Sequence, residues 1–331
     1  MEAALQEIYE ETINKIKEDR SAAEFKIAMF SAALLSYRKN SCLLPFPPAF
    51  TENDGTKNIH NVEDVFSQLP SVQEFISHPS RLSREAVTLL HWIISERSYA
   101  VESCKEDLFK ELEQKTGKSS FSIKPDYMFE IKYLNSYSSR KFDEYGQSYN
   151  IKFGYHGSRL DNFYSILHNG LQVHMTKNAL FGEGVYLSED VAVTLPYSKT
   201  GDIWKHSSFG HQMSCIAVCE IVDHPLVKCK VKNGNQSRSR AKDTQAGDVP
   251  EKYFVVTSSD LLRLKYVLVF SKRVSKQRRK GGWWVIRKYP VASILFLYVL
   301  FLFLMGIWKS NRVQMFFRRY WVDRYFSDPD H

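Results

Sequence analysis

The chain has 331 residues, 45 lysines and arginines against 37 acids for a net charge of +8, and 44% hydrophobic residues. That much apolar material excludes a disordered chain, and the length fits two domains or one large domain with additions. Five cysteines (Cys42, Cys104, Cys215, Cys219 and Cys229) include no C-x-x-C pair, so zinc-site spacing is absent and buried free thiols in a reducing compartment are expected.

The N-terminal stretch "MEAALQEIYEETINKIKEDR" lacks a basic start followed by an apolar core, so no secretory signal is expected and the following domain should stay cytosolic. In "FKIAMFSAALLSY" the apolar positions Met29, Phe30, Ala33, Leu34 and Tyr37 recur at helical spacing. In "SREAVTLLHWIISERS" they are Ala86, Leu89, Leu90, Ile93 and Ile94. Between them Pro45, Pro47, Pro48 and Gly55 break any helix. A charged helix, "KEDLFKELEQKTGK", is expected to end near Gly117.

The period then changes. "YMFEIKYL" puts Tyr127, Phe129, Ile131 and Tyr133 on one strand face, and "YNIKFGYHGS" alternates Tyr149, Ile151, Phe153 and Tyr155. "CIAVCEIV", with Cys215 and Cys219 on one face, "YFVVT" and "LLRLKYVLVF" read as further strands. Helices first and strands later indicate an α+β protein with a helical N-terminal domain. The polar, basic stretch 230–250 reads as a mobile loop. It lacks the interleaved aromatics of a nucleic-acid site, so no specific nucleic acid is expected.

Residues 289–308, "YPVASILFLYVLFLFLMGIW", hold no charge. At roughly 1.5 Å per residue such a helix spans about 30 Å, the hydrocarbon thickness of a bilayer. Trp283, Trp284 and Tyr289 flank one end and Trp308 the other, as aromatic belts do. Lysines and arginines at 272–288 meet no acid, whereas those downstream are diluted by Asp323, Asp328 and Asp330, which orients the N-terminal part toward the cytosol. The basic run serves either as a contact for anionic lipid headgroups or as a solvated stop-transfer flank.

Two glycine-bearing motifs remain. "YHGSRLDNFYSILHNGL" ends a strand at Gly157 and opens a helix that should stop at Gly170. Ser158 and Asp161 have capping-box spacing, so Ser158 is either a helix cap or a site residue, and His156 alone could be structural. "LFGEGVYL" fails as a dinucleotide loop, because Leu187 stands where a third glycine is needed and a strand follows rather than a helix. No G-x-S-x-G is present, and His156, His168 and His174 are too irregularly spaced for a metal site. The two glycines instead deliver Tyr186, which taken alone could be a core residue.

Taken together, "HGSR", then "LFGEGVYL", then "YFVVTSSDLLRLKYVLVF", in this order and spacing over roughly 125–272, resemble the catalytic domain of poly(ADP-ribose) polymerases, diphtheria-toxin-like ADP-ribosyltransferases. The whole architecture is similar to that of tail-anchored mono-ADP-ribosyltransferases of the endoplasmic reticulum and nuclear envelope. The resemblance implies split antiparallel sheets with NAD in a cleft, consumed as substrate and with no metal required. It implies that His156 bonds the adenine ribose, that the Gly157 backbone holds the nicotinamide carboxamide, and that Ser158 lines the adenosine side. It implies also that Tyr186 and Tyr197 stack on nicotinamide, and that Thr194 presents a hydroxyl to the carboxamide.

Polymer-forming members carry a glutamate in the third motif, where this chain has Tyr253. Glu251 would share that strand face but does not match the register. A phenol of pKa near 10 is a poor base at neutral pH. The expected catalytic set is therefore His156, Tyr186 and Tyr253, transferring a single ADP-ribose to proteins, the chain itself included. The alternative is a tail-anchored NAD-binding scaffold without turnover; a plain membrane tether is the third reading. The expected organisation is a helical domain at 1–100, a catalytic domain at 101–274, a basic juxtamembrane linker at 275–288, a transmembrane helix at 289–308 and a short tail at 309–331. Localisation to the endoplasmic reticulum membrane and nuclear envelope, and a role in stress signalling there, follow from the resemblance alone.

Overall fold

The computed structural model describes residues 2–272 except 79–81, 96, 116–123, 135–136, 176–179, 231–237 and 240–246. Beyond 272 it describes Leu295, Phe296, Tyr298, Leu302, Met305, Gly306 and Met315, all helical. The linker at 275–288, most of the apolar span at 289–308, nearly all of the tail at 309–331 and the helix end expected near Gly117 lie outside the described residues. Among the described residues no helix is long and apolar enough to cross a membrane. The chain divides into two compact units, Met1–Arg273 and Val274–His331.

The first unit begins with α1 (Glu2–Glu18) and α2 (Arg20–Leu34), followed by α3 (Lys39–Cys42), α4 (Ile59–Ser67), α5 (Val72–Ser77) and α6 (Arg84–Ile94). Helix starts follow the side chains that precede them. Asp19 caps α2 by accepting from Ala22 N at 2.9 Å, Ser71 and Glu74 form a reciprocal capping box on α5, and Ser83 caps α6. Every residue of α2 from Ala22 to Leu34 is buried, including Glu24 and Lys26. Those two charges are satisfied, Lys26 by donating to the Ile94 carbonyl at 2.8 Å and Glu24 by accepting from Ser208 N at 3.0 Å. The expected face of α6 is buried throughout. Tyr37 departs from expectation: α2 stops at Leu34, so Tyr37 lies beyond the helix and is 80% exposed.

The chain then runs β1 (Tyr99–Ser103), α7 (Glu106–Lys115), β2 (Tyr127–Tyr133), α8 (Tyr137–Gly146), β3 (Ile151–Gly157), α9 (Phe163–Asn169), β4 (Val185–Ser188), α10 (Val191–Thr194), β5 (Gly201–Asp202), β6 (Gln212–Val222), β7 (Lys228–Cys229), β8 (Tyr253–Val256) and β9 (Leu262–Lys272). Among the described residues these strands form one antiparallel sheet rather than the split sheets expected, because the Tyr155–Ser188 pair joins β3 to β4, in the order β1-β2-β9-β6-β3-β4-β8-β7, with β5 beside β6. Cys215 and Cys219 both point into the same buried cluster, as their spacing predicts. In β3 the expected alternation holds only at the far end, where Tyr155 is fully buried while Ile151 stays exposed. Of the loop at 230–250, Arg238 is anchored: its guanidinium donates to Asp223 at 2.6 Å and to the His224 carbonyl at 3.2 Å.

One apolar core crosses from the helices into the sheet. Phe25 of α2 stacks on Phe129 of β2 at 4.4 Å, Phe30 meets Tyr164 of α9 edge-on at 5.5 Å, and Ser31 Oγ accepts from Trp204 N at 2.9 Å. Helical region and sheet therefore depend on the same packing. Phe25→Ala is expected to cost about 3–5 kcal/mol. In urea titrations the far-ultraviolet helical signal and tryptophan fluorescence should shift down together in one transition. Separate transitions for the two signals would contradict the shared core.

Candidate active site

The site starts where the ladder between β3 and β4 is thinnest. β3 pairs with β6 from Ile151 opposite Val222 through Gly157 opposite Ile216, but with β4 only through Tyr155 opposite Ser188. At the next position a side chain bridges the strands: His156 Nδ1 donates to the Tyr186 carbonyl at 2.9 Å. A carbonyl only accepts, so Nδ1 carries the proton and Nε2 of the neutral ring is left as an acceptor. Burial pushes the His156 pKa below its ordinary 6.5, and the bond to Tyr186 offsets this only in part. The ring is neutral at pH 7.

Gly157 follows because nothing larger fits. A Cβ there would sit 2.4 Å from the Thr194 carbonyl oxygen and 2.9 Å from both Ser198 Oγ and Tyr197 Cβ. The segment 194–198 thus lies directly on the glycine backbone. α10 sets it in place, its start capped by Asp190 accepting from Ala192 N at 3.0 Å. Thr194 is buried and its hydroxyl donates to the Val191 carbonyl at 2.7 Å, so its carbonyl rather than its hydroxyl faces Gly157. Tyr197 is 61% exposed, leaving its ring open to a ligand.

The Tyr186 hydroxyl is held by the loop ahead of it, accepting from Phe181 N at 2.9 Å and donating to the Gly182 carbonyl at 2.7 Å. Gly182 and Gly184 have φ of 94° and 155°. A Cβ on Gly184 would meet Val255 Cγ1 at 2.7 Å. These glycines let the loop fold over its own tyrosine and press on β8.

Tyr253 lies opposite Ser188, and Tyr186 opposite Val255, so the two tyrosines share one face as diagonal neighbours, roughly 7–8 Å apart. Burial raises the Tyr253 pKa, and the nearby Tyr197 phenol raises it further. Glu251 does not share this face. It lies in the turn before β8, and Lys252 between them has the left-handed φ of 68°.

His156 and Ser158 open onto a cavity of about 1360 Å³. Asn162, Ile166, His168 and His174 line it from the sheet side, and Arg38, Cys42, Phe46, Trp92 and Arg97 from the helical region. Ser158 does not cap the helix, as its spacing had suggested: the turn after it begins at Arg159, and Ser158 Oγ instead accepts from Asn162 Nδ2 at 3.0 Å. The His168 pKa falls to about 3, first through burial and then through Arg97 and Lys26, so this ring is neutral too. Among the described residues no histidine, cysteine and carboxylate group could hold a metal ion.

Alternation along the strands places His156 on the face opposite Tyr186 and Tyr253. A ligand touching all three must pass the strand edge at Gly157. The arrangement suits an extended molecule with a hydroxyl for His156 Nε2 at one end and a flat ring among tyrosines at the other. Arg38, Asn162 and Trp92 carried no sequence signal as site residues, because only tertiary packing brings them to the cavity.

Residues 106–272 match the poly(ADP-ribose) polymerase catalytic domain, and residues 14–94 match the ARTD15 N-terminal domain. Protein mono-ADP-ribosyltransferase PARP16 from Mus musculus is 36% identical over 307 residues, covering 91% of this chain and 94% of its own, and the Homo sapiens protein of the same name matches to the same extent. Protein mono-ADP-ribosyltransferase PARP8 from Mus musculus is 24% identical over 260 residues, 72% of this chain and 28% of its own.

Gly157→Ala is expected to displace segment 194–198 at an overpacking cost of about 1–3 kcal/mol. Calorimetric titration with NAD should show affinity reduced by at least about tenfold; unchanged affinity would separate Gly157 from the site. Protonating His156 removes its acceptor. Because its pKa is depressed, NAD affinity should hold from pH 8 down to about 6.5 and fall only in more acid solution. His156→Gln should flatten that fall.

Proposed function

The chain belongs to the poly(ADP-ribose) polymerase family and is a mono-ADP-ribosyltransferase that uses NAD; from that premise we propose that it transfers one ADP-ribose at a time to protein side chains, its own included. The observation that carries this reading is Tyr253. It stands where polymer-forming relatives have a glutamate, and its surroundings push its pKa up rather than down. A phenol so placed stays protonated at neutral pH and cannot activate a second ribose hydroxyl as base.

The residues present fit the dinucleotide. Neutral His156 offers Nε2 to the adenine ribose, Ser158 lines the adenosine side, and the Gly157 backbone, packed against segment 194–198, takes the carboxamide. Tyr186 and Tyr197 offer ring faces to the nicotinamide, and Thr194 contributes by seating the segment that carries Tyr197. The reaction breaks the nicotinamide–ribose bond, whose electron pair leaves with the pyridine nitrogen, and the acceptor side chain bonds to the ribose carbon, any proton it carries there passing to water. Aromatic faces stabilise the cationic ring before it leaves, and the rate comes largely from orientation. Tyr253 remains a hydrogen-bond donor beside the reacting ribose.

The cytosolic face of the endoplasmic reticulum and nuclear envelope is part of the same proposal. The charge-free stretch at 289–308 and the basic flank before it support a tail anchor with residues 1–274 in the cytosol. Stress signalling at that membrane is proposed from family resemblance alone.

The test is incubation of the protein with NAD labelled in its adenylate. Label should attach to protein as a discrete increment and fall by at least about a hundredfold in His156→Ala and Tyr186→Ala, the range for lost transition-state contacts. A ladder of increasing mass would overturn single transfer. Tight NAD binding with no label retained would favour a scaffold without turnover.

A further inference from the structure

The loop that follows α2 reaches across to the motif carrying His156 and Ser158. Ser36 Oγ donates to Asp161 at 2.6 Å, Arg38 Nη2 donates to Asn162 Oδ1 at 3.1 Å, Cys42 Sγ approaches the same oxygen at 3.6 Å, and Tyr164 donates its hydroxyl to the Pro45 carbonyl at 2.9 Å. Lys39 pairs with Glu63 and ties the loop back to α4. The Asp161 carboxyl, which burial alone would raise, is held below its usual range by the bonds from Arg159 and Ser36. The loop is therefore fixed at both sides of Asn162.

Asn162 occupies a position where orientation decides chemistry. Its amide could face Ser158 with either oxygen or nitrogen, since the two ends have nearly the same shape. A guanidinium has only donors, so Arg38 requires Oδ1 on its side and turns Nδ2 toward Ser158, at 3.0 Å. Ser158 Oγ then accepts, and its hydroxyl proton is free to point elsewhere. Ser158 lines the cavity, so the cavity receives that donor. With the amide reversed, Ser158 would give its proton to Asn162 and present only lone pairs.

We propose that Arg38, outside the matched catalytic domain, is a positioning residue for the dinucleotide: through Asn162 it fixes Ser158 as a hydrogen-bond donor to the adenosine side. This rests on the reading that NAD occupies the cavity. Arg38 contributes direction, so its removal affects binding of NAD rather than the bond-breaking step.

Initial rates of label transfer from NAD test the relay in the full-length protein. Arg38→Ala is expected to raise KM for NAD about five- to tenfold, the scale of one neutral hydrogen bond, with kcat changed less than about twofold. Arg38→Lys keeps a pure donor and should recover part of the loss. Asn162→Asp is the discriminating variant. It strengthens the link to Arg38 but offers Ser158 only an acceptor, so KM should rise although the thermal midpoint holds or increases. In a Ser158→Ala background Arg38→Ala should add nothing. The relay is overturned if Asn162→Asp keeps the wild-type KM, if the Arg38 effect persists without Ser158, or if kcat and thermal midpoint fall while KM stays. Absence of transfer by the wild-type protein would instead strike the function proposed above.

Discussion

A single hydrogen bond, from His156 Nδ1 to the Tyr186 carbonyl, stands where the backbone ladder between β3 and β4 gives out. A side chain does there what a main-chain N–H does elsewhere in the sheet. The bond holds the two strands together while leaving their edges apart, and it sets which nitrogen of the imidazole carries the proton. Burial keeps the ring neutral, so the free nitrogen accepts. Gly157 comes next, with space above it too small for any side chain. The cavity lies on one face of this edge and the tyrosines on the other.

The helical region supports that edge from behind. α2 is buried on all sides and shares its core with β2 and α9 through Phe25 and Phe30. The segment after it buries Cys42 and Leu43 in the core and lands hydrogen bonds on residues 161–164. Packing thus brings the loop close, and hydrogen bonds give it direction. Directional bonds are suited to setting an amide's orientation, which dispersion between apolar groups cannot do.

The face with Tyr186 and Tyr253 follows a different logic. Both phenols have raised pKa values, Tyr253 through burial and then Tyr197. No cation near them is needed to offset a negative charge, because none forms at neutral pH. A carboxylate at position 253 would face the same partly desolvated surroundings and would have to bear its charge there. The local environment and the tyrosine agree with each other, and both suit a site that orients a substrate without acting as base.

Much of this was legible from residue order alone. The strand ending in "YHGS", the glycine loop before Tyr186 and the tyrosine at 253 are local patterns, and spacing places them on successive strands. The buried faces of α6 and β2 also follow from periodicity, since one side of each element must meet the core. Local pattern misled where an end or a turn intervened. Tyr37 continued a helical period past the point where the helix stops, and Glu251 continued a strand period through a left-handed residue. β1 and α8 went unread. Sequence by itself determined the chemistry available: a histidine, a glycine and tyrosines in an order that fits one reaction. Only the tertiary structure decided how those groups present themselves. Which way Asn162 faces and that Arg38 reaches Ser158's neighbour depend on a contact between residues over a hundred positions apart, and such contacts leave no period in the chain.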